Sequence, residues 1–368
     1  MKIDDVSLTI FTWDNIPATR YHGALLVPAN SNLGLLRIHT DAGLEGHAFL
    51  GTSSNPASMD GPQLIRWLKP LLMGQNPLER ERIHAATRLL TRQISYRVVG
   101  AMDTALWDLA GKIANLPVHA LMGTFRTSIP AYASSAVLDS PEAYAEEAAA
   151  FKAAGWQAYK IHPPRSYLQD IKVCTAVRKA VGDDYRLMLD STWSYTYTEA
   201  LTVGQAIQEM GYYWFEDPLA DEEIHNYTKL RAKLDIPILA TEYPQGGLDT
   251  YPIWLTEKAT DYLRGDIPTK GGLTTMLKTA HLAEAFGCRY EIHHSGNSLN
   301  NLANLHVCMA IRNTTMWEVL LPDGAHKYGM VKDLAPDAQG LMYAPTAPGI
   351  GGDIDFELIR RKTEAELR

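Results

Sequence analysis

Three short runs decide how this chain is read: RLMLDST at 186–192, YYWFEDP at 212–218 and PILATE at 237–242. Each is β-rich and apolar, and each carries an acid at or near its end: Asp190, Glu216 and Glu242. The acids are separated by two equal intervals of 26 residues. Such an interval holds a strand, a helix and their connections, so one βα repeat carries the chain from one acid to the next. Working outward, similar segments stand at 129–134, 158–163, 262–268, 289–294 and 316–322, giving eight strand candidates. Stretches with helical apolar spacing, such as 141–154 and 168–181, lie between them. Eight strands alternating with helices over about 200 residues are the pattern of a (β/α)8 TIM-type barrel.

Ahead of the barrel the style differs. Residues 6–13 are β-rich, 35–50 read as a hairpin around Asp41-Ala42-Gly43, and 61–121 turn helical, with breaks at Asn76-Pro77 and Leu116-Pro117. Strands followed by helices indicate an α+β domain. The expected division is an α+β domain at 1–124, the barrel at 125–322, and a Gly- and Pro-containing segment at 323–368 that packs back on the first domain.

Bulk properties narrow the function classes. The chain has 368 residues, is 46% hydrophobic and 21% charged, and carries a formal net charge of −8. The acidic balance, with no long basic run, argues against nucleic acid. No apolar run approaches a membrane span of about 18 residues, and the N-terminus lacks the basic-then-apolar layout of a signal peptide. Cys174, Cys288 and Cys308 fit neither a disulfide framework nor a zinc pattern. A cytoplasmic setting is expected.

The C-terminal strand ends of a barrel share one mouth, where active sites sit. Three carboxylates brought there by adjacent strands require a counter-charge. A hard cation such as Mg2+, which takes oxygen ligands and leaves positions for water or substrate, supplies it. Lys160 and His162 are two apart and share a strand face beside that site. Asp266 and His294 would lie on adjacent strands across the mouth, as a carboxylate–imidazole acid/base pair. His293 is the rival to His294, and only one of the two can face the site. Glu318, if protonated, would donate a hydrogen bond to a developing enolate oxygen. A barrel hydrolase would want histidine pairs near a strand end, where strand one offers Ala131-Tyr132-Ala133-Ser134. An NAD enzyme would want a GxGxxG after a strand; none is found, and Gly349-Ile350-Gly351-Gly352 sits in the tail.

These pieces, with the run GAMDTALWDLAG at 100–111, Gly271-Gly272, His294-Ser295 and Trp317-Glu318, resemble in this order the mandelate racemase subgroup of the enolase superfamily. The resemblance spans nearly the whole chain. It implies a modified enolase-type barrel with an N-terminal α+β capping domain, and a homo-oligomer. It implies Mg2+ on Asp190, Glu216 and Glu242, chelated by a small-molecule carboxylate substrate. Lys160 or the Asp266/His294 pair would remove the α-proton, and Glu318 would help stabilise the enediolate. Two departures stand out: His162 replaces the second lysine of the usual Lys-x-Lys, and Thr192 an asparagine. Specificity in the family comes from capping loops, here Arg20-Tyr21-His22-Gly23 and the loop around Thr52, with Trp193 and Tyr195 as further pocket candidates. The expected reaction is dehydration of an acid sugar to a 2-keto-3-deoxy acid. The alternatives are racemisation, epimerisation or cycloisomerisation and, from another class, a non-catalytic ligand-binding barrel.

Overall fold

The computed structural model describes residues 1–21, 27–244, 246–294 and 296–368. His22 and Gly23, named above as loop candidates, and Ser295 lie outside the described residues.

The chain opens with antiparallel strands β1 (Ile3–Trp13), β2 (Ser31–Thr40) and β3 (Glu45–Leu50). The β2–β3 turn closes where Gly43, at φ 74°, donates its N–H to the Thr40 carbonyl. The terminal strand Thr363–Leu367 pairs with β1, so the end of the chain returns to this first sheet. Alternate residues Val6, Leu8 and Ile10 of β1 face a core shared with the helix Tyr96–Ala114. Ser95 caps that helix by accepting the Val98 N–H, and Asn115 ends it at φ 54°.

Residues 98–111 of the helix are all buried, because it lies between the sheet and the barrel. Two glycines permit this. A Cβ on Gly46 would stand 2.2 Å from the Ala105 carbonyl oxygen, and one on Gly100 2.7 Å from that of Ile267. Asp103 accepts the Thr274 N–H at 2.8 Å and the Thr274 hydroxyl at 2.7 Å, capping the barrel helix Leu273–Ala285. The 100–111 run thus grips the loop that follows Asp266.

The barrel strands are β4 (Ser128–Ser134), β5 (Ala158–Ile161), β6 (Arg186–Asp190), β7 (Trp214–Glu216), β8 (Ile238–Ala240), β9 (Tyr262–Gly265), β10 (Arg289–Ile292) and β11 (Trp317–Leu320). All eight stand where the sequence places them. They are parallel and neighbour one another in chain order, and β11 pairs back with β4. No ladder joins β10 to β11 among the described residues, so the ring is nearly closed. A 3-10 turn, Asp323–Ala325, follows β11 in place of an eighth barrel helix. No described helix is long and apolar enough to cross a membrane.

Strand alternation sorts the barrel into two faces. Tyr159, Ile161, Leu187, Leu189, Phe215, Leu263, Tyr290 and Ile292 face the surrounding helices. Tyr132, Ala158, Met188, Trp214, Leu239 and Met316 fill the interior floor. Two residues further along the same faces come Ser134, Lys160, Asp190, Glu216 and Glu318. The period of two therefore lifts chemistry directly above an apolar floor. On β8 the alternation breaks. Thr241 takes φ 81° and turns its hydroxyl to the Arg264 backbone N–H, and Glu242, one residue later, faces the mouth.

Candidate active site

Asp190, Glu216 and Glu242 each offer an oxygen within 4.8 Å of the other two, and all three are buried. Asp190 and Glu216 are direct register partners on β6 and β7. Burial, with Asp190 beside it, pushes the Glu216 carboxyl up to about 7, even though Arg264 and Lys160 favour its charge. The cluster is therefore short of positive charge. One divalent cation among three convergent carboxylates fits that deficit and this oxygen donor set.

Lys160 is fully buried. Its Nζ donates to Asp190 Oδ2 at 3.0 Å and to both Glu216 oxygens at 3.1 Å, and lies 2.7 Å from Glu318 Oε1. Burial and Arg264 oppose its charge, but Glu216 and Glu318 outweigh them and hold the ammonium well above its ordinary range. His162 Nδ1 donates to the Ser135 carbonyl at 2.7 Å, and Nε2 lies 3.1 Å from Asp190 Oδ2. Both ring nitrogens thus face oxygen atoms.

Arg264 on β9 was not singled out in the sequence, yet it is a hub of the site. Fully buried, it places Nε 2.7 Å from Glu216 Oε1 and 3.5 Å from Glu242 Oε2, and Nη2 donates to Glu318. Its Nη1 has no partner among the described residues. Burial opposes ionisation of Glu318, but Arg264 and Lys160 hold its carboxyl well below the usual range. Glu318 is thus an ionised acceptor between two cations, not the protonated donor considered from sequence.

The imidazole paired with Asp266 is His293, not His294. His293 Nδ1 lies 2.9 Å from Asp266 Oδ2, and Nε2 is 3.4 Å from Glu242 Oε1. Asn304 fixes the pair by donating to Asp266 Oδ1 at 2.6 Å and to the His293 carbonyl at 3.1 Å. Burial disfavours the imidazolium, but Glu242 and Asp266 raise His293 to about 9. His294 points the other way, against Trp317 at 3.5 Å between ring centroids. Its ring nitrogens have no partner among the described residues, and burial drives it well below the ordinary range. The reason is parity: Tyr290 and Ile292 face the helices, so His293 falls on the inner face and His294 on the outer one.

A cavity of about 710 Å³ opens over these groups, and Tyr21, His162, Asp190, Trp193, Glu242 and His293 all reach it. Tyr21 stands edge-on to His162 at 5.2 Å and bonds His326 Nε2 at 2.8 Å. Three residues expected at the pocket are elsewhere. Arg20 turns to Asp139 and lines a separate hollow. Thr52 spends its hydroxyl on the N–H groups of Ser54 and Asn55, while Ser53 and Ser54 line the cavity instead. Tyr195 is buried with its hydroxyl on Asp170 at 2.7 Å. Arg165 and Tyr243 line the cavity unanticipated; no period or motif marks them in the sequence.

Residues 10–123 match the mandelate racemase / muconate lactonizing enzyme N-terminal domain, and residues 143–358 match the enolase C-terminal domain-like family. The chain belongs to this family, the mandelate racemase group of the enolase superfamily. It is 31% identical over 308 residues to D-galactarolactone cycloisomerase of Agrobacterium fabrum, covering 78% of this chain and 81% of that protein. It is 27% identical over 318 residues to arabinonate dehydratase of Saccharolobus solfataricus, covering 83% and 85%. Among solved structures, D-glucarate dehydratase from Agrobacterium tumefaciens complexed with magnesium superposes with a TM-score of 0.88, at 32% identity over 99% of this chain and 100% of that one. This enolase-superfamily chain thus has dehydratases and a cycloisomerase of acid sugars among its relatives.

Proposed function

We propose that this protein is a Mg2+-dependent acid-sugar dehydratase that removes the proton α to a carboxylate. The observation that carries the reading is that one cavity is lined by Asp190 and Glu242 of the carboxylate cluster and by His293, the imidazole paired with Asp266. When bound, a divalent ion on Asp190, Glu216 and Glu242 would hold the substrate carboxylate and offset charge developing on it. With the Glu242 charge offset by such an ion, His293 would be neutral, so that its Nε2 can accept the α-proton while Asp266 orients the ring and supports its charge. Lys160 and Arg264, fixed by Glu318, keep two cations beneath the carboxylate, while His162 and Tyr21 close the side toward β5. The protonated His293 then supplies a proton to the departing β-hydroxyl, and the enol product tautomerises to a 2-keto-3-deoxy acid.

A second reading, isomerisation, is favoured by one observation: His162 on the β5 side and His293 on the β10 side both reach the cavity. Acid/base groups on two sides suit proton return to the opposite face. Incubating the Mg2+-loaded protein with a library of acid sugars and lactones in D2O separates the readings. Keto acid formed from one substrate supports dehydration. Deuterium at the α-carbon without keto acid supports racemisation or epimerisation, and lactone opening or closure supports cycloisomerisation. No exchange with any acid refutes both and leaves a ligand-binding barrel.

A further inference from the structure

Among the described residues lining the main cavity, Arg165 is the single lysine or arginine. It follows β5 through Pro163-Pro164 and sits at φ 70°, a backbone region that side-chain-bearing residues seldom adopt. Its Nε donates to Ser194 Oγ at 2.8 Å and its Nη2 to the Thr192 carbonyl at 3.0 Å. Thr192 is itself tied to the proposed metal ligand, since its N–H donates to Asp190 Oδ1 at 3.1 Å. The guanidinium is thus clamped at a fixed offset from the reacting end of the cavity.

Three further observations make this corner a built site. No carboxylate among the described residues pairs with the guanidinium; nearby Asp170 feels its charge, but takes the Tyr195 hydroxyl instead. Thr192 Oγ1 and Trp193 Nε1, beside it, are buried with no partner among the described residues. Eight described non-glycine residues have positive φ, and four of them (Arg165, Thr192, Trp193 and Asp217) line this cavity. Strain gathered at one wall, with polar atoms left unpaired, marks a surface built for a ligand.

We propose that Arg165 binds a second, distal carboxylate of the substrate. The substrate class is then a polyhydroxy diacid, open or as its monolactone, and not a polyhydroxy monoacid. A planar guanidinium with free N–H groups suits a carboxylate, and the unpaired charge needs a counter-anion. The proposal rests on the acid-sugar reading above for what occupies the other end.

The test is calorimetric binding of matched pairs, glucarate against gluconate and galactarate against galactonate, to the Mg2+-loaded protein. The natural protein should bind one diacid at least about 10-fold tighter than its monoacid partner. Arg165→Gln should collapse that ratio by about 10- to 100-fold, the range expected for a charge-assisted contact. Arg165→Lys, which keeps the charge, should retain part of it. Equal affinity of the natural protein for diacid and monoacid, no diacid binding, or a Gln variant that weakens both alike would overturn the proposal. Deuterium exchange on the same pairs judges the catalytic reading separately. Arg165-dependent diacid binding without exchange would remove the proposed reaction and leave the diacid site standing.

Discussion

His293 and His294 follow β10 as neighbours in opposite environments. One meets Asp266, Glu242 and the cavity; the other is pressed on Trp317. His293→Asn should lower α-proton exchange by about 100-fold or more, the usual contribution of a positioned acid/base. His294→Asn should lower it by less than about 10-fold, and the reverse order would reassign the base. Face polarity in the sequence does not separate the two histidines, because apolar residues fill the barrel floor as well as its outer face, and the structure decides between them. There Tyr290 and Ile292 face the helices, so the residue in phase with Glu291 is the one that turns inward. Arg264, in phase with Tyr262 and Asp266, escaped the sequence reading because an arginine inside a barrel runs against its usual exposure. Arg165 was not legible. Its role comes from a left-handed backbone and from the loop after another strand, neither of which Pro-Pro-Arg announces.

Strands β4 to β11 could be placed from sequence because each is a short apolar run bounded by breakers. Their spacing delivered the three carboxylates without any knowledge of the loops. Loop contents resisted the same reading, as Thr52 and Tyr195 show: both are polar and near the mouth, and both are consumed by local hydrogen bonds. Element junctions also carry a pH dependence. His306, on the barrel helix Ser298–Ala310, accepts the His119 N–H at Nδ1 and donates from Nε2 to the Ile350 carbonyl, tying three segments together. Burial lowers it to about 3 from 6.5. Below pH 6.5 the unfolded chain takes up a proton that the folded one refuses, so this group's stabilisation is present above pH 6.5 and drains away as pH falls toward 3. The advantage of the natural protein over His306→Gln in unfolding free energy should therefore shrink by roughly 3 kcal/mol from pH 7 to pH 4, at about 1.4 kcal/mol per unit. Urea titrations at both pH values measure it, and a gap that stays constant would show that His306 does not titrate this way.

At the scale of the whole molecule, the barrel closes around a buried charge cluster that β5, β6, β7, β9 and β11 all enter. Four carboxylates, Asp190, Glu216, Glu242 and Glu318, face the two permanent cations Lys160 and Arg264. On the proposed function a divalent ion would complete that balance, so its binding should stabilise the fold. At 100 times its dissociation constant, Mg2+ should add about 2.7 kcal/mol to unfolding free energy, and Glu216→Gln should abolish most of that increment. Arg264→Met sharpens the test. Removing one partner of a buried ion pair costs about 3–5 kcal/mol, and it leaves the cluster one charge more negative. Mg2+ should then recover more stability in Arg264→Met than it adds to the natural protein. Denaturant unfolding with chelator and with excess Mg2+ gives both increments. A smaller Mg2+ increment in the variant would mean that Arg264 acts chiefly by holding Glu216 in a ligating position. Equal increments would mean that the metal site and the arginine are energetically separate, against the 2.7 Å between Arg264 Nε and Glu216 Oε1.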